Sequence, residues 1–343
     1  MKTVYVGLSG GVDSSVSAAL LKEQGFLVVG VYMKNWSKDL PGFACPWKED
    51  YQDAKRIAVQ LGIEFKMFDF EKEYQEKVVD YMIEEYKAGR TPNPDIMCNQ
   101  EVKFKLFYNT AIEQGADFVA TGHYARSING KLLVGKDTNK DQSYFLYRVK
   151  ESVLERTIFP LGDFTKPQVR KMAEEMNLAT ATKKESMGIC FVGKVGIKEF
   201  LQQYVDTEAG DIIDQNGKKI GQHDGAIFYT IGQRHGLDVG GGLPYYVTGK
   251  DMKTNTVYVT SRIDDESLWK KTLNLTDVHW INEAPQIGKT YMVRTRYRAP
   301  LVKGSFKEKI TEIILDDPVR AITPGQSVVI YENERVVGGG III

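Results

Sequence analysis

Near the start of the chain, the apolar run Val4-Tyr5-Val6-Gly7-Leu8 gives way through Ser9-Gly10-Gly11-Val12-Asp13-Ser14-Ser15 to a helix-like segment that reaches Gln24. No other stretch restricts the fold as much. A strand that turns through glycines directly into a helix leaves unpaired N–H groups and the positive end of a helix dipole aimed at one spot, and small residues let a ligand approach. That arrangement is a phosphate cradle. Its spacing is neither the Gly-x-x-x-x-Gly-Lys-Ser/Thr loop nor the Gly-x-Gly-x-x-Gly of dinucleotide folds. Asp13 inside an anion site implies that a divalent cation, Mg²⁺, accompanies the ligand.

Beyond the loop, strands and helices alternate. Strand-like runs fall at Val4–Leu8, Phe26–Tyr32, Glu64–Phe70 and Asp117–Thr121, with helical patterns between them at Asp50–Leu61, Lys72–Lys87 and Val102–Gln114. Gly62, Gly89 and Gly115 stand just past these helices as C-terminal caps. The alternation predicts an α/β fold with a doubly wound parallel sheet, whose ligands bind outside the carboxyl ends of the strands. Further helices are expected at Lys166–Asn177 and Ile197–Tyr204. From about Asp211 glycine becomes frequent and short β-rich runs appear, at Ala226–Thr230, Tyr245–Thr248, Thr256–Thr260, Thr290–Tyr297, Lys309–Leu315 and Ser327–Tyr331. These read as one or two small antiparallel β-barrels with a seam near Asp265–Lys271.

A chain of 343 residues suggests two or three domains. No run approaches the roughly 18–20 apolar residues that span a bilayer, and the N-terminus has no signal-peptide pattern. Three cysteines, odd in number and far apart, argue against a secreted disulfide scaffold, so a cytoplasmic protein is expected. With 45 basic and 45 acidic residues the global charge points to no partner, and local charge has to decide. Gly288–Lys309 carries seven basic residues against Glu308 alone. Within it Arg294, Arg296 and Arg298 alternate, which in a strand puts all three on one face beside Tyr291 and Tyr297, a surface suited to phosphates and bases.

Two cysteines stand in suggestive contexts. Cys98 closes Thr91-Pro92-Asn93-Pro94-Asp95-Ile96-Met97-Cys98. Its two prolines predict a rigid extended loop rather than a helix, presenting an acid three residues from a thiol. A buried cysteine beside a turn aspartate fits the same residues. Cys190 lies in Gly188-Ile189-Cys190-Phe191-Val192-Gly193, where Lys183 and Lys184 would favour a thiolate if they fold nearby. Together, in a chain with a phosphate loop, the pair suggests catalytic sulfur, since two thiols can carry a persulfide and resolve it as a transient disulfide. Zinc would need further ligands at suitable spacing, and no structural zinc is expected. Cys45, beside Pro46, reads as structural or incidental. Thr121-Gly122-His123-Tyr124 ends a strand on the ligand edge of the sheet, and His123 either contacts a ligand or satisfies its loop. Lys140-Asp141-Gln142-Ser143-Tyr144-Phe145 mixes charge, amide and aromatics in a way that suits unstacked RNA bases.

The opening loop, Ser-Gly-Gly-x-Asp-Ser-Ser, resembles that of the ATP pyrophosphatases, which cleave ATP between its α and β phosphates and pass AMP to an oxygen. Read with the two cysteine motifs, Tyr32-Met33-Lys34-Asn35-Trp36, the Lys-Asp-Gln run, Arg296-Tyr297-Arg298 and Thr323-Pro324-Gly325-Gln326, the whole chain resembles the tRNA-specific 2-thiouridylases. That resemblance implies a nucleotide-binding domain (1–206), a small central β domain (207–268) and a C-terminal β-barrel (269–343) that contacts tRNA. It implies ATP on Gly7, Leu8, Ser9, Gly10, Gly11, Val12, Asp13 and Ser14 with Met33 and Gly122, and Mg²⁺ on Asp13. Asn93, Pro94 and Asp95 would face the target base; His123, Lys140, Asp141, Gln142, Tyr297, Arg298 and Gln326 would contact tRNA. Cys98 and Cys190 would be the catalytic pair, Cys190 carrying the persulfide and Asp95 handling the proton. Implied partners are the tRNAs for Lys, Glu and Gln, a cysteine desulfurase or sulfur-relay protein, and an external reductant, with no membrane. Phe43-Ala44-Cys45-Pro46-Trp47 departs from the cysteine–threonine stretch usual in such enzymes. Two other readings fit parts of the chain: an amide-forming synthetase that adenylates a small metabolite, needing neither cysteine, and a non-catalytic RNA-binding protein that consumes no ATP.

Overall fold

The apolar runs of the first 160 residues become a sheet because their residues are buried on both faces: Val4, Val6, Val31, Val119 and Ala120 expose nothing to water. The structure is a computed structural model that describes residues 1–40, 44–184, 196–237, 239–240 and 244–343. Cys190 with its flanking glycines, and Phe43, lie outside the described residues.

The first sheet contains β1 (Thr3–Gly7), β2 (Leu27–Lys34), β3 (Glu64–Asp69) and β4 (Phe118–Ala120). A hairpin of β5 (Ala125–Ile128) and β6 (Lys131–Val134) then leaves it, and β7 (Thr157–Ile158) returns to it. Its order is β3-β2-β1-β4-β7, parallel throughout. The direction of winding reverses between β1 and β4, so the loops that leave these two strands, Leu8–Gly11 and Thr121–Gly122, meet at the switch point where such sheets bind ligands. The connecting helices are α1 (Val12–Glu23), α2 (Trp47–Leu61), α3 (71–87), α4 (94–113), the single turn α5 (Glu151–Leu154), α6 (Lys166–Glu175) and α7 (Ile197–Leu201). Helix α2 buries Ala54, Ile57 and Ala58 and ends on Gly62 at φ +59°, as its pattern predicts. Helix α4 differs from expectation. It starts at Pro94, eight residues before the apolar periodicity does, because Pro94 occupies the first turn, where its missing N–H costs nothing, and Asn93 Oδ1 accepts the Ile96 N–H at 3.3 Å as the cap. The two prolines therefore begin a helix instead of excluding one.

The central unit pairs β8 (Gly210–Ile213), β9 (Lys219–His223), β10 (Tyr246–Asp251) and β11 (Thr256–Thr260) in the order β10-β11-β8-β9. The β8–β11 pair is parallel, so this sheet is mixed where an antiparallel one was expected. The run Ala226–Thr230 is no strand: Ala226–Phe228 form a 3₁₀ turn whose first N–H is taken by Asn255 Oδ1 at 2.9 Å, so a side chain replaces a ladder partner.

β12 (Trp269–Trp280), β13 (Thr290–Arg294), β14 (Val302–Phe306), β15 (Glu312–Arg320), β16 (Ser327–Glu332) and β17 (Arg335–Ile342) form an antiparallel barrel, closed where β12 pairs with β17. The hairpin β5–β6 from the nucleotide domain extends this sheet by pairing β6 with β17. Its turn is Asn129-Gly130, with φ +50° and +73°, the positive-φ pair that suits a two-residue hairpin. Among the described residues no helix is long and apolar enough to cross a membrane.

Gly10 has φ +75°, and a Cβ there would overlap the Asp50 carbonyl that opens α2. Gly10→Ala is therefore expected to lower stability by about 1–3 kcal/mol through strain at positive φ. Thermal unfolding checks this.

Candidate functional site

At the switch point, α1 begins on Gly11 with no side-chain cap, so its first-turn amides have no side-chain acceptor. The loop before it is held by serine hydroxyls. Ser14 Oγ accepts the Ser9 N–H at 3.1 Å and donates to Gly11 O at 3.1 Å, and Ser15 Oγ donates to Gly11 O at 2.8 Å. One further glycine is required by close approach: a Cβ on Gly122 would lie 2.9 Å from Ser14 N, whereas one on Gly7 would meet the end of the flexible Met33 side chain at 2.9 Å. The predicted nucleotide residues Gly7 to Ser14, Met33 and Gly122 thus come together.

The partners of Asp13 were not foreseen. Its carboxylate receives Lys166 Nζ at 2.7 and 2.8 Å and the Tyr124 hydroxyl at 2.8 Å. Lys166 is 8% exposed, and its own backbone N–H is taken by Asp137 Oδ2 at 2.8 Å. The sequence signals the start of α6, since Gln168 Oε1 accepts the Thr165 N–H at 2.8 Å as in a capping box. It carries no sign that Lys166 reaches back to the first loop. Among the described residues no group of three or more His, Cys, Asp or Glu side chains is arranged to hold a metal. A Mg²⁺ ion that arrives on phosphates needs only one or two carboxylates, and Asp13 fits that requirement on exchanging Lys166.

The second part of the site is the start of α4. Asp95 and Cys98, three residues apart on a helix, share a face. Cys98 is 3% exposed and belongs to the main core with Val102 and Phe107. Burial pushes the Asp95 carboxyl above the usual carboxylate range, while the Lys103 ammonium pulls it back. Asn99 Nδ2 donates to Phe145 O at 3.4 Å, which packs this turn against the Lys-Asp-Gln segment. Lys183, which would favour a thiolate at Cys190 if it folds nearby, is paired with Asp50 and Asp53, each at 2.7 Å, while Cys190 lies outside the described residues. Cys45 is a free thiol that burial pushes to higher pKa, in keeping with a structural role.

The proposed tRNA residues divide into two groups. Lys140, Asp141, Tyr297 and Arg298 line a cleft of about 350 Å³ between the 138–141 loop and the barrel, together with Arg294. Arg298 Nη2 donates to Asn139 O at 3.1 Å, its guanidinium stacks over the Tyr297 ring at 5.2 Å, and Tyr297 packs on Phe145 at 4.3 Å. The three arginines do not share a strand face, because β13 ends at Arg294 and the chain turns, with Arg298 at φ +61°. Arg294 turns inward to Asp141 at 3.6 Å and lies over Tyr331, while Arg296 donates to Thr323 Oγ1 at 2.9 Å. Asp141 and the remaining residues are held by hydrogen bonds or packing within the protein. Asp141 accepts the N–H groups of Gly135 and Ser143 at 3.0 and 3.1 Å, and Gln142 Oε1 accepts the Tyr124 N–H at 3.0 Å. Gln326 donates its amide to Thr91 O at 2.8 Å. His123 packs between Phe104 and Phe159, its Nδ1 2.7 Å from Thr121 Oγ1, and burial holds its pKa well below the usual histidine value. It is buried and bonded within its own loop.

Three family models match in succession: "tRNA methyl transferase HUP domain" over residues 2–194, "tRNA methyl transferase PRC-barrel domain" over 198–261, and "Aminomethyltransferase beta-barrel domain" over 270–342. A tRNA-specific 2-thiouridylase of Neisseria meningitidis is 49% identical, covering 99% of this chain and 95% of that protein. One of Bacillus subtilis is 47% identical, covering 99% and 94%. Among solved structures, a 4-thiouridine synthetase–RNA complex with bound ATP aligns over 60% of this chain and 50% of that one, at 22% identity and a TM-score of 0.40.

The site geometry sets two expected outcomes. Lys166→Met leaves the partly exposed Asp13 carboxylate without its cation and is expected to cost about 1–2 kcal/mol, more than Tyr124→Phe, by urea midpoint. His123, His223 and His279 are all held below their ordinary pKa by burial. Their contribution is fully present above the unfolded pKa of about 6.5 and is lost as pH falls below it. His123→Asn should flatten part of that slope in melting curves across the range.

Proposed function

The chain belongs to the family of tRNA-specific 2-thiouridylases, and from that premise we propose that it installs sulfur at C2 of the wobble uridine of tRNA by adenylation and persulfide transfer. The observation that carries the reading is the combination, in one chain, of an uncapped glycine loop at the switch point with a helix turn that presents Asp95 and Cys98. The C2 oxygen is a poor leaving group. Its attack on the α-phosphorus of ATP, with departure of pyrophosphate, converts it into AMP; the first-turn amides of α1 receive the departing negative charge. Asp13 is the residue that would hold Mg²⁺ there, and the ion would offset charge on pyrophosphate.

A persulfide on Cys190 then attacks C2. Cys98 attacks the inner sulfur of the resulting adduct, forming a Cys98–Cys190 disulfide; the outer sulfur stays on C2 and AMP leaves. A carboxyl with raised pKa at Asp95 suits proton exchange with the base at this step. An external reductant resets the pair, and a cysteine desulfurase or relay protein reloads Cys190. Asn93 and Pro94 border the flipped base, and Lys140, Tyr297 and Arg298 hold the RNA. Tyr297 supplies a stacking surface and Arg298 and Lys140 supply phosphate contacts. The tRNAs for Lys, Glu and Gln are the proposed substrates.

Incubation with unmodified tRNA, ATP, Mg²⁺ and a persulfide source (a cysteine desulfurase with free cysteine) should yield 2-thiouridine, seen as retarded migration in a mercury-containing gel. Cys98→Ser, Cys190→Ser and Asp13→Asn should each abolish it. Full yield from Cys190→Ser would overturn the persulfide route, and pyrophosphate release that is indifferent to tRNA would favour an amide-forming synthetase.

A further inference from the structure

Thr91 is bonded to all three parts of the molecule. It lies in the nucleotide domain and is 9% exposed. Its N–H donates to Pro324 O of the barrel at 2.8 Å, and its Oγ1 is 3.2 Å from Thr230 Oγ1 of the central unit. Its carbonyl accepts the Gln326 amide at 2.8 Å, and the same amide lies 3.4 Å from Pro92 O. Gln326 is itself 9% exposed and fixed by its backbone, donating to Thr323 O at 3.2 Å and accepting from Ile342 N at 2.9 Å. Gly325, at φ +90°, lets the barrel loop come this close, since a Cβ would stand 2.8 Å from Thr91 N.

We infer that Gln326 is a positioning residue, through which the C-terminal barrel sets the orientation of Asp95 and Cys98 by gripping the Thr91–Pro92 backbone. The grip is transmitted because the segment between has almost no free torsion. Pro92 and Pro94 have φ fixed by their rings, and a residue before proline is confined to extended backbone. Asn93 is found there, at φ −115° and ψ 95°, with its side chain already capping α4. A rotation imposed at Thr91 therefore reaches Asp95 and Cys98 nearly undamped. The inference rests on the reading of Asn93–Cys98 as the base-facing segment.

Gln326→Met keeps the side-chain volume and removes both donors. Gly325→Ala disturbs the same grip from the barrel side, and serves where the first variant folds poorly. Both variants should lower kcat for 2-thiouridine formation by about 10- to 100-fold, the cost of small misplacement of reacting groups. The loss should persist at saturating tRNA, since a contact that only binds RNA would raise KM and leave kcat unchanged. Amide hydrogen exchange in 93–98 should accelerate. Weaker tRNA binding with kcat unchanged at saturating tRNA would overturn the inference in favour of a direct RNA contact, and unchanged exchange in 93–98 would overturn it as well. If the unaltered protein makes no 2-thiouridine, the proposed activity fails, and the exchange measurement still decides whether the barrel controls this segment.

Discussion

The rest of the molecule depends on one apolar core shared between the nucleotide domain and the barrel. Phe104, Leu132, Tyr144, Leu146 and Tyr147 come from the first, and Ile281, Val329, Tyr331 and Val336 from the second. Tyr144 and Tyr147 expose nothing and direct their hydroxyls to Ser327, Tyr144 to its carbonyl at 2.8 Å and Tyr147 to its hydroxyl at 3.1 Å. Each buried hydroxyl left unpaired would cost about 1–3 kcal/mol, so the two domains have one favoured docking. Interfaces between domains of one chain are usually more polar than this and allow movement. Here the β6–β17 pairing continues the barrel sheet into the nucleotide domain and adds backbone hydrogen bonding to the apolar contact.

That docking creates the functional surfaces. The 137–142 loop lies against the barrel, with Arg294 facing Asp141 and Arg298 facing Asn139, and the cleft between them is the proposed place for RNA. The same loop is tied to the nucleotide site from two sides. Lys166 bridges Asp137 and Asp13, through its backbone N–H and its ammonium, and Tyr124 bridges Gln142 and Asp13. One carboxylate of the glycine loop is therefore in contact with the supports of the 137–142 loop, though the two come from distant parts of the sequence.

Legibility followed the range of the interaction. Glycines that end helices at 62, 89 and 115 act locally, and each occupies positive φ where the pattern puts it. Asn129-Gly130 is an equally local hairpin signal that went unread, because its two strands are short and partly polar. The prolines before Cys98 misled, since a proline at the first turn of a helix and a proline in an extended loop are alike in sequence; Asn93 as a cap was the clue. The alternation of Arg294, Arg296 and Arg298 suggested a charged face only on the assumption that the strand continued. It stops at Arg294, where the barrel turns, and the three guanidinium groups part toward Asp141, Thr323 and Asn139.

By itself the sequence determined the glycine loop before α1, the strand–helix alternation that gives a parallel doubly wound sheet, and the β-rich C-terminal half. These are legible from periodicity, capping and turn residues along the chain, whereas the proposed sulfur chemistry rests on the two cysteine motifs and the family resemblance. Only the tertiary structure decided that Lys166 and Tyr124 hold Asp13, that His123 is buried and neutral, that Gln326 grips Thr91, and that a hairpin of the first domain completes the sheet of the last. Those pairings join residues more than a hundred positions apart in nearly every case. They depend on which apolar faces find each other on folding, and that choice is made by shape and burial in three dimensions, for which the linear pattern carries no signal.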